Sequence, residues 1–461
     1  MAGVDAGFLY METPSQHMHT LKVALIDPPD DFDLTLLSTE LLARLDLLPP
    51  LQRRALPVPL QLNHPLWIAD RQIDPARHIR AVHVPAPGGM TELEALIGRI
   101  ASTPLDRDVP LWELNVCHGL ADGRIAIVAK LHHALADGAA ANALLGNVTD
   151  RPGFPERHLE VVPIPIEPAP TKRSMVMPAL RDAVRQLFDL PKLLRHTITS
   201  LVALVRHKRT ATVQVPRPIL DTPRASFNGP LTPRRTFATC SLQLDEIKHV
   251  KQAHGVTVND VVLGVVAGAL RSWLLSHGEH LGKPLMAAVP VATDDPDAAP
   301  RLAGNNVSNL FTTLATDIAD PVERLRTISR VTKEAKVIQQ LLGSDMLTDW
   351  VQFTPPAPFN AFMKLYSKAK LAAFHPPPIN VVVSNVAGPR EQITIAGATL
   401  SDLFSVGPIL EGIGLNVTAW SYMGRMNFTL LACPDLLPDL DAIVRELRPA
   451  LDALALEGAS V

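Results

Sequence analysis

The sequence predicts an α/β protein of two halves with mixed sheets, joined by a long crossover that is rich in proline and partly helical. Three observations support this fold class. The chain has 461 residues, more than the roughly 100–200 residues of a typical domain. Strand-like and helix-like patterns alternate over residues 1–150 and return over residues 236–461. Residues 151–235 hold many prolines without strand-like alternation, which is typical of a connection.

In the first half, apolar or alternating runs predict four strands, over 21–26, 78–84, 112–116 and 124–131. Apolar residues at every third or fourth position predict two helices, over 33–48 and 91–103. The second helix opens with Thr91 and has Glu94 three residues later, the pattern of a capping box. A turn at 121–123 joins the last two strands, so we expect them to be neighbours.

The same patterns continue through the rest of the chain. Residues 175–207 of the crossover predict one or two helices. In the second half, six strands are predicted over 236–242, 285–291, 307–314, 380–384, 414–421 and 425–432. Four helices are predicted over 245–254, 257–275, 321–341 and 437–456. We therefore expect a first domain at 1–150, a crossover at 151–235 and a second domain at 236–461.

Composition and charge exclude several classes of protein. The 43 Lys and Arg against 46 Asp and Glu give a net charge of −3, which excludes a strongly electrostatic nucleic-acid binder. Cys117, Cys240 and Cys433 are too far apart for a disulfide framework or a CxxC metal knuckle, and favour a reducing compartment. The N-terminus lacks the pattern of a signal peptide. The longest apolar run, 261–270, is shorter than the ~18 residues of a membrane span.

The run His132-His133-Ala134-Leu135-Ala136-Asp137-Gly138 carries the candidate chemistry. It follows an apolar strand and leads into a helix of small residues, and adjacent side chains at a strand end point to opposite faces. A neutral histidine, with an ordinary pKa of ~6.5, is suited to remove a proton from a hydroxyl or thiol. An aspartate at a helix start accepts backbone N–H groups. The sequence leaves open whether Asp137 orients a histidine or pairs with an arginine.

Two other interpretations of this run remain open from the residues alone. The two histidines and Asp137 could be zinc ligands, but no third nearby nitrogen or sulfur ligand is evident in the sequence. The histidines could also be a structural pair at a strand end. Chance occurrence of this spacing is uncommon, so the run is informative without being decisive.

The run resembles the HHxxxDG signature of the CoA-dependent acyltransferase superfamily, which includes chloramphenicol acetyltransferase and peptide-synthetase condensation domains. The resemblance is closer to the bacterial bifunctional wax ester synthase/acyl-CoA:diacylglycerol acyltransferases. Other segments resemble motifs of that family in the same order, from about residue 4 to about residue 450: 5–9, 110–113, 257–262, 304–308 and 384–389. Ala387 and Ala315 stand where that family usually has proline.

The resemblance implies two chloramphenicol-acetyltransferase-like domains and an O-acyltransferase. The reaction would move a long-chain acyl group from acyl-CoA to diacylglycerol, and also to long-chain alcohols to make wax esters. His133 is implied as the general base in a tunnel between the domains, with direct attack on the thioester and no acyl-enzyme. His132 is then structural, Asp137 organises the loop, and Gly138 permits a tight turn. Acyl-CoA is a substrate, and no metal or other cofactor is implied.

Six polar residues in the other motifs are candidate substrate-binding residues: Asn259, Asp260, Asn305, Asn306, Ser384 and Asn385. Attack on a thioester requires hydrogen-bond donors for the developing oxyanion, and the asparagines at 259, 305 and 306 are candidates for this role. Asn259 and Asp260 also fit an ordinary helix N-cap. Ser384 and Asn385 also fit a crossover loop that closes one domain over the other.

A lipid surface is an expected partner. Residues 171–210 hold nine Lys and Arg against two Asp, interleaved with apolar residues. This pattern fits an interfacial helix on anionic lipid and equally a crossover helix with a solvated basic face. The aromatic stretch at 350–374 could line an acyl tunnel, touch lipid or belong to the core. Because the implied substrates are nearly insoluble, we expect a cytoplasmic protein that associates peripherally with a membrane or lipid droplet, with no nucleic-acid partner.

Two alternative functions remain open. An acyltransferase of the same fold could act on a polyketide or other hydroxyl with a carrier-bound donor. A non-enzymatic lipid-binding relative could keep the fold, although the intact histidine motif argues against it.

Overall fold

A computed structural model describes residues 1–29, 32–70, 73–150, 170–279, 282–295, 297–343 and 350–456. The strands are β1 His19–Asp27, β2 Arg53–Leu56, β3 Leu66–Ala69, β4 Ile79–His83, β5 Trp112–His118, β6 Ile125–His132, β7 Thr236–Gln243, β8 Met286–Ala292, β9 Val307–Thr313, β10 Val381–Ala387, β11 Thr394–Ile395, β12 Ala398–Val406, β13 Leu415–Tyr422 and β14 Arg425–Ala432. The α-helices are α1 Gly3–Met11, α2 Leu34–Ala43, α3 Pro75–His78, α4 Met90–Ala101, α5 Gly138–Val148, α6 Lys172–Lys208, α7 Leu244–His254, α8 Val258–Ser276, α9 Pro321–Leu342, α10 Pro356–Lys368 and α11 Leu440–Leu456.

Two six-stranded sheets form the framework. The first has the order β11-β12-β1-β6-β5-β4, with only β4 and β5 parallel. The second has the order β7-β14-β13-β10-β8-β9, in which β10 is parallel to both of its neighbours. Both sheets are therefore mixed, and the predicted fold class of two mixed α/β halves is confirmed.

The two sheets do not coincide with the sequence ranges predicted for the domains. The chain leaves β10 in the second sheet and returns to the first, where β12 pairs with β1 through Val406 and Leu21 at one end. Residues 394–406, which the sequence analysis assigned to the second domain, thus complete the first sheet. The crossover segment at 151–169 lies outside the described residues. The domain limits at 150 and 235 remain a prediction.

Three apolar clusters hold the framework together. One surrounds α8 in the second half, and one covers the face of the first sheet on which α2 and α5 lie. A third joins the halves, because Leu93 and Ile97 of α4 pack with Phe237 of β7 and Leu431 of β14. Ala126 and Val128 of β6 belong to the same cluster, which holds this strand against the second half of the chain.

Helix α8 is the one described helix that is long and apolar enough to cross a membrane. It continues past Arg271 to Ser276, so this apolar helix is longer than the run at 261–270 on which the sequence analysis relied. Within its most apolar window, 72% of the residues are buried inside the protein. That burial is typical of a core helix of a folded domain.

Two predicted helices differ from those observed. The helix expected over 33–48 ends at Ala43 and gives way to two short 3₁₀ turns, at Leu45–Leu47 and Pro49–Gln52. Helix α4 begins after Gly89, whose N–H donates to Glu92, and Glu94 instead accepts a hydrogen bond from Thr239 of the other half. For these two helices, contacts distant in sequence or a nearby proline decided what periodicity alone did not. The crossover forms one helix of 37 residues, α6, despite its two internal prolines, in agreement with the one or two helices predicted there.

Candidate active site

Two histidines lie where β6 ends beside β1. His132 pairs with His19 in the antiparallel ladder, and the N–H of His133 donates to the carbonyl of Met18 at 2.7 Å, one residue past the strand. Because side chains alternate along such a ladder, the two imidazoles point to opposite faces of the sheet. The His132 side chain is fully buried, and His133 is half-buried.

The His132 imidazole is enclosed and neutral. Its Nδ1 accepts the N–H of Ala134 at 3.1 Å, so the ring hydrogen lies on Nε2. Nε2 faces the Glu12 carboxylate at 3.8 Å, beyond hydrogen-bond distance. Burial holds the pKa of His132 well below its ordinary value. These contacts fit a residue that shapes the turn after β6.

The His133 imidazole is held by Asn305 in one tautomer. Asn305 Nδ2 donates to Asp5 Oδ1 and to the His133 carbonyl, each at 2.8 Å. Both of these partners only accept, so the amide oxygen is the atom that faces His133 Nδ1, at 2.9 Å. Nδ1 must then carry the hydrogen, which leaves the Nε2 lone pair of the neutral ring available as a base.

Residues of α1 complete this arrangement. Asp5 also accepts the backbone N–H of Asn305 at 2.9 Å, and the Phe8 ring stacks on the His133 ring with centroids 4.1 Å apart. Gly304 adopts a φ of 77°, which favours glycine, and a Cβ there would lie 3.3 Å from Asp5. The sequence analysis noted the motif at 5–9 but assigned it no role. Its position opposite the asparagines could not be read from local pattern.

Burial and nearby charges keep the His133 imidazole neutral. Burial lowers the pKa of His133 below its ordinary value of 6.5, and nearby Lys22 acts in the same direction. The hydrogen bond to Asn305 and the negative charge of Asp137 oppose this shift without reversing it. The unprotonated form therefore predominates at neutral pH.

Asp137 links the histidine loop to the second half of the chain. Its Oδ1 caps α5 by accepting the N–H of Ala140 at 2.9 Å, and its Oδ2 accepts Arg301 Nη2 at 2.6 Å and the Asn306 N–H at 2.8 Å. Arg301 also pairs with Asp294 at 3.0 Å. Of the two roles left open by the sequence, the structure shows the pairing with an arginine. Arg301 was not identified from the sequence.

The prediction that Gly138 is needed for a tight turn is wrong. The residue begins α5 without a positive φ, and a Cβ there would meet Val386 at 3.6 Å, an ordinary contact. The turn therefore does not require the conformational freedom of glycine.

Asn306 lies beside the histidine loop, where its Nδ2 donates to Asp294 at 3.1 Å.

The other four candidate substrate-binding residues lie in a helix and a strand of the second half. Asn259 and Asp260 are in the first turn of α8, where Asp260 forms a capping box with Thr257 and accepts the Ser329 hydroxyl at 3.0 Å. Ser384 and Asn385 belong to β10 and pair with β13. The structure thus brings together the histidine loop and residues 304–306, and it places these four in a helix cap and a strand.

An apolar cavity of about 130 Å³ lies on the face of the first sheet to which His133 points. Ala129 and Leu131 of β6 line it. They lie on the same face of the strand as His133, because side chains two residues apart point the same way. Leu41 of α2 and Leu144 of α5 form the opposite wall. His133 is the next residue on this face of the strand after Leu131, one step beyond the lining wall.

The zinc interpretation requires a third ligand beside the histidines. Over the described ranges, no group of three His, Cys, Asp or Glu side chains forms a candidate metal site. The Asp137 carboxylate, which was the suggested third member, is occupied by Arg301 and two backbone N–H groups. The donor set present therefore does not fit that interpretation.

Fold and site define a protein of the condensation-domain-like acyltransferase class. The first condensation domain of the calcium-dependent antibiotic synthetase shares the fold, with a TM-score of 0.57 at 14% identity over 99% of this chain and 96% of that domain. Two family models then match the sequence: the wax ester synthase/diacylglycerol acyltransferase catalytic domain over residues 1–262, and the WS/DGAT C-terminal domain over residues 303–455. The chain belongs to this family and is an acyltransferase, which confirms the resemblance seen in the sequence.

Individual relatives agree with this assignment. The chain is 39% identical over 436 residues to a Mycobacterium tuberculosis protein named "Putative diacyglycerol O-acyltransferase Rv0221", covering 94% of this chain and 90% of the relative. A second protein of that organism with the same description, Rv1760, is 34% identical over 98% of this chain and 89% of its own length. The wax ester synthase/diacylglycerol acyltransferase of Marinobacter aquaeolei VT8 superposes with a TM-score of 0.65 at 27% identity, over 99% of this chain and 98% of that one.

Replacing Asn305 with alanine is expected to lower kcat/KM roughly ten- to a hundredfold and to move the acid limb of its pH profile to lower pH. The hydrogen bond from His133 to Asn305 raises the pKa of the histidine, so its loss lowers that pKa further. The lost tautomer preference reduces the rate. Asn306→Ala is the matched control, because that amide bonds Asp294 and not His133. An unchanged acid limb in Asn305→Ala would contradict the assignment.

Proposed function

We propose that the protein transfers a long-chain acyl group from acyl-CoA to the hydroxyl of diacylglycerol or a long-chain alcohol, with His133 as general base. The observation that carries this proposal is the fixed tautomer of His133, in which Nδ1 donates to Asn305 and Nε2 keeps its lone pair, at the end of the strand whose Ala129 and Leu131 line the apolar cavity. Names of the relatives in M. tuberculosis and M. aquaeolei support the substrate class.

The proposed reaction is a single displacement. His133 Nε2 takes the hydroxyl proton as the acceptor oxygen bonds to the thioester carbonyl carbon, giving a tetrahedral oxyanion. The carbon–sulfur bond then breaks, and the imidazolium returns the proton to the CoA thiolate. Asn305 Nδ2 is committed to Asp5 and to a carbonyl, so it orients the base instead of binding the oxyanion. No metal or other cofactor enters this scheme.

A product assay tests the proposal. Purified protein is given palmitoyl-CoA with either a diacylglycerol or hexadecanol, and released thiol and lipid products are measured together. Thiol release matched by triacylglycerol or wax ester supports the proposal. If folded protein makes neither ester, the proposal fails. Transfer to another acceptor, such as a hydroxyl presented by a carrier, or a purely lipid-binding role would then replace it.

We further propose that α6 holds the protein at an anionic lipid surface. The helix packs on the body through Met175, Ala179 and Leu193, which are buried. Its outward face carries many apolar side chains, each at least 43% exposed: Met177, Leu180, Val184, Phe188, Leu194, Ile198, Leu201, Val202 and Val205. A surface helix normally presents polar residues outward, so this face is suited to a partner with an apolar interior.

Charge indicates which partner the α6 face fits. The nine Lys and Arg of residues 171–210 are all exposed and outnumber the two Asp. Basic residues beside an exposed apolar stripe match the anionic headgroups and acyl chains of a lipid interface. Of the two interpretations of this segment, the outward apolar face supports the interfacial one.

Vesicle binding tests the α6 proposal. The double variant Phe188→Asp, Ile198→Asp is expected to bind anionic phosphatidylglycerol vesicles at least tenfold more weakly, because two apolar side chains no longer enter the interface and each is worth about 1.5–3 kcal/mol when fully buried. Co-sedimentation gives the affinity. Leu275→Asp, at an exposed position of α8, is the matched control. Binding that is unaffected in the double variant, or independent of lipid charge and salt, would contradict the proposal.

A further inference from the structure

A lysine lies in the wall of the apolar cavity beside the proposed base. Lys22 of β1 lines the cavity, and its Nζ lies 4.8 Å from the centroid of the Trp420 ring, which lines the same space. The ammonium donates to the Ser405 hydroxyl at 2.5 Å. Among the described residues, no carboxylate forms an ion pair with it. A charge in such surroundings is costly unless something binds it.

A second buried lysine of this sheet, Lys130, has an acceptor for each of its ammonium N–H donors. Lys130 of β6 points to the opposite face, forms an ion pair with Glu113 at 2.9 Å, and donates to the carbonyls of Ile100 and Thr103 at 3.1 Å each. An ammonium has three N–H donors, and Lys130 uses all of them. Lys22 has one hydrogen-bond acceptor and one aromatic ring. Its remaining donors are therefore available to a ligand in the cavity.

Burial lowers the pKa of Lys22 to about 8, so the side chain remains largely protonated at neutral pH. Its Cα pairs with Ala129, four positions before His133 along β6, and its long side chain brings the ammonium near enough for its charge to lower the pKa of His133 and to be favoured by Asp137. The ammonium is therefore well placed to contact a part of the bound lipid other than the reacting hydroxyl. Such a partner must carry an oxygen that accepts hydrogen bonds.

We propose that Lys22 selects the acceptor by donating a hydrogen bond to an ester carbonyl of diacylglycerol, a group that a long-chain alcohol lacks. This inference rests on the proposed acyl transfer and names its preferred acceptor. When an alcohol fills the cavity, the ammonium loses water without gaining an acceptor. When diacylglycerol fills it, the ester oxygen replaces that water. The resulting difference in binding free energy favours diacylglycerol over the alcohol as the acceptor at the same histidine.

Lys22→Met tests this selection, because methionine keeps the length of the side chain and removes the charge without introducing a polar group. The ratio of kcat/KM for diacylglycerol to that for hexadecanol is expected to fall about 10- to 100-fold, the range for one hydrogen bond to a charged group. The loss should lie mainly in KM for diacylglycerol, while wax ester formation holds or rises. Lys22→Arg keeps a donor and should restore part of the ratio.

Lys130→Met is the matched control. It removes the other buried lysine, leaves Glu113 with Arg80 at 3.9 Å as its charged partner and should lower stability, yet it should leave the acceptor ratio unchanged. An equal loss with both acceptors in Lys22→Met, or an unchanged ratio, would overturn the proposal. A third result would also overturn it: with the alcohol acceptor, Lys22→Met changes the preference for an acyl-CoA whose chain carries a hydroxyl over one whose chain does not. The oxygen that Lys22 contacts would then belong to the acyl donor and not to the acceptor.

Direct binding separates this inference from the proposed reaction. Trp112 and Trp420 both line the cavity, so dioctanoylglycerol or dodecanol binding can be followed by tryptophan fluorescence without turnover. Lys22→Met should weaken binding of the diacylglycerol and not of the alcohol. If wild-type protein makes no ester but shows this difference, only the proposed reaction fails. If it makes ester and the variant binds both lipids like wild type, only the selection by Lys22 fails.

Discussion

Replacing His133 with alanine is expected to reduce turnover of palmitoyl-CoA with diacylglycerol by about 10²- to 10⁴-fold, the range typical of a lost general base. The Nε2 lone pair that Asn305 holds ready disappears with the ring. Folding should survive, because the half-buried ring contacts mainly Phe8 and Asn305. Thiol release under saturating substrate measures the loss, and near-ultraviolet circular dichroism checks the fold.

His132→Ala is the neighbouring comparison. This ring is fully buried and accepts the Ala134 N–H, so its removal should cost stability and affect turnover less than the loss of His133. Equally large catalytic losses in both variants, with folding intact, would contradict the division of roles between the two histidines. Residual activity of His133→Ala near the wild-type level would contradict the base assignment itself.

Asp137→Ala is expected to lower the free energy of unfolding by about 3 kcal/mol. The change removes the cap of α5, worth about 1 kcal/mol, and leaves Arg301 without its buried partner. A buried ion pair loses about 3–5 kcal/mol when one partner is deleted; here the loss is smaller because Arg301 is partly exposed and keeps Asp294. Urea unfolding followed by circular dichroism measures the change.

Asp137→Asn separates the two contributions. Asparagine is also a favourable N-cap, so this variant keeps the cap and loses only the charge that pairs with Arg301. We expect it to lie between wild type and Asp137→Ala in stability. If Asp137→Ala unfolds at the wild-type urea concentration, the carboxylate does not join the histidine loop to residues 301–306.

The sequence was informative wherever function depends on a short local run. The histidine motif ends an apolar strand and opens a helix, so strand period, helix cap and motif could be identified together, and the structure has β6 and α5 in those places. The asparagines at 305 and 306 were identified only as candidates for binding. Their contact with the motif spans 172 residues of sequence in the case of His133 and Asn305, and no local pattern reports such a distance.

Several predictions failed for the same physical reason. Strands β11 and β12 were missed, because β12 is placed by pairing with β1, more than 370 residues away, as in the Ser401 hydroxyl bonded to the Leu25 carbonyl, and β11 pairs with β12. Asn259, a candidate for the oxyanion, lies in the first turn of a capped core helix, and that role stays a prediction. The glycine that needs its conformational freedom is Gly304 and not Gly138.

The sequence by itself determined the α/β class, most strands and helices, and the run that carries the proposed base, because these follow from side-chain period, capping residues and residue chemistry over a few neighbours. Only the tertiary structure decided which histidine nitrogen is free, which arginine meets Asp137, and that a lysine faces the apolar cavity. Those features depend on side chains from distant segments meeting in one small volume. Burial there changes the pKa of a histidine and makes each unpaired donor costly, and burial is a property of the folded chain alone.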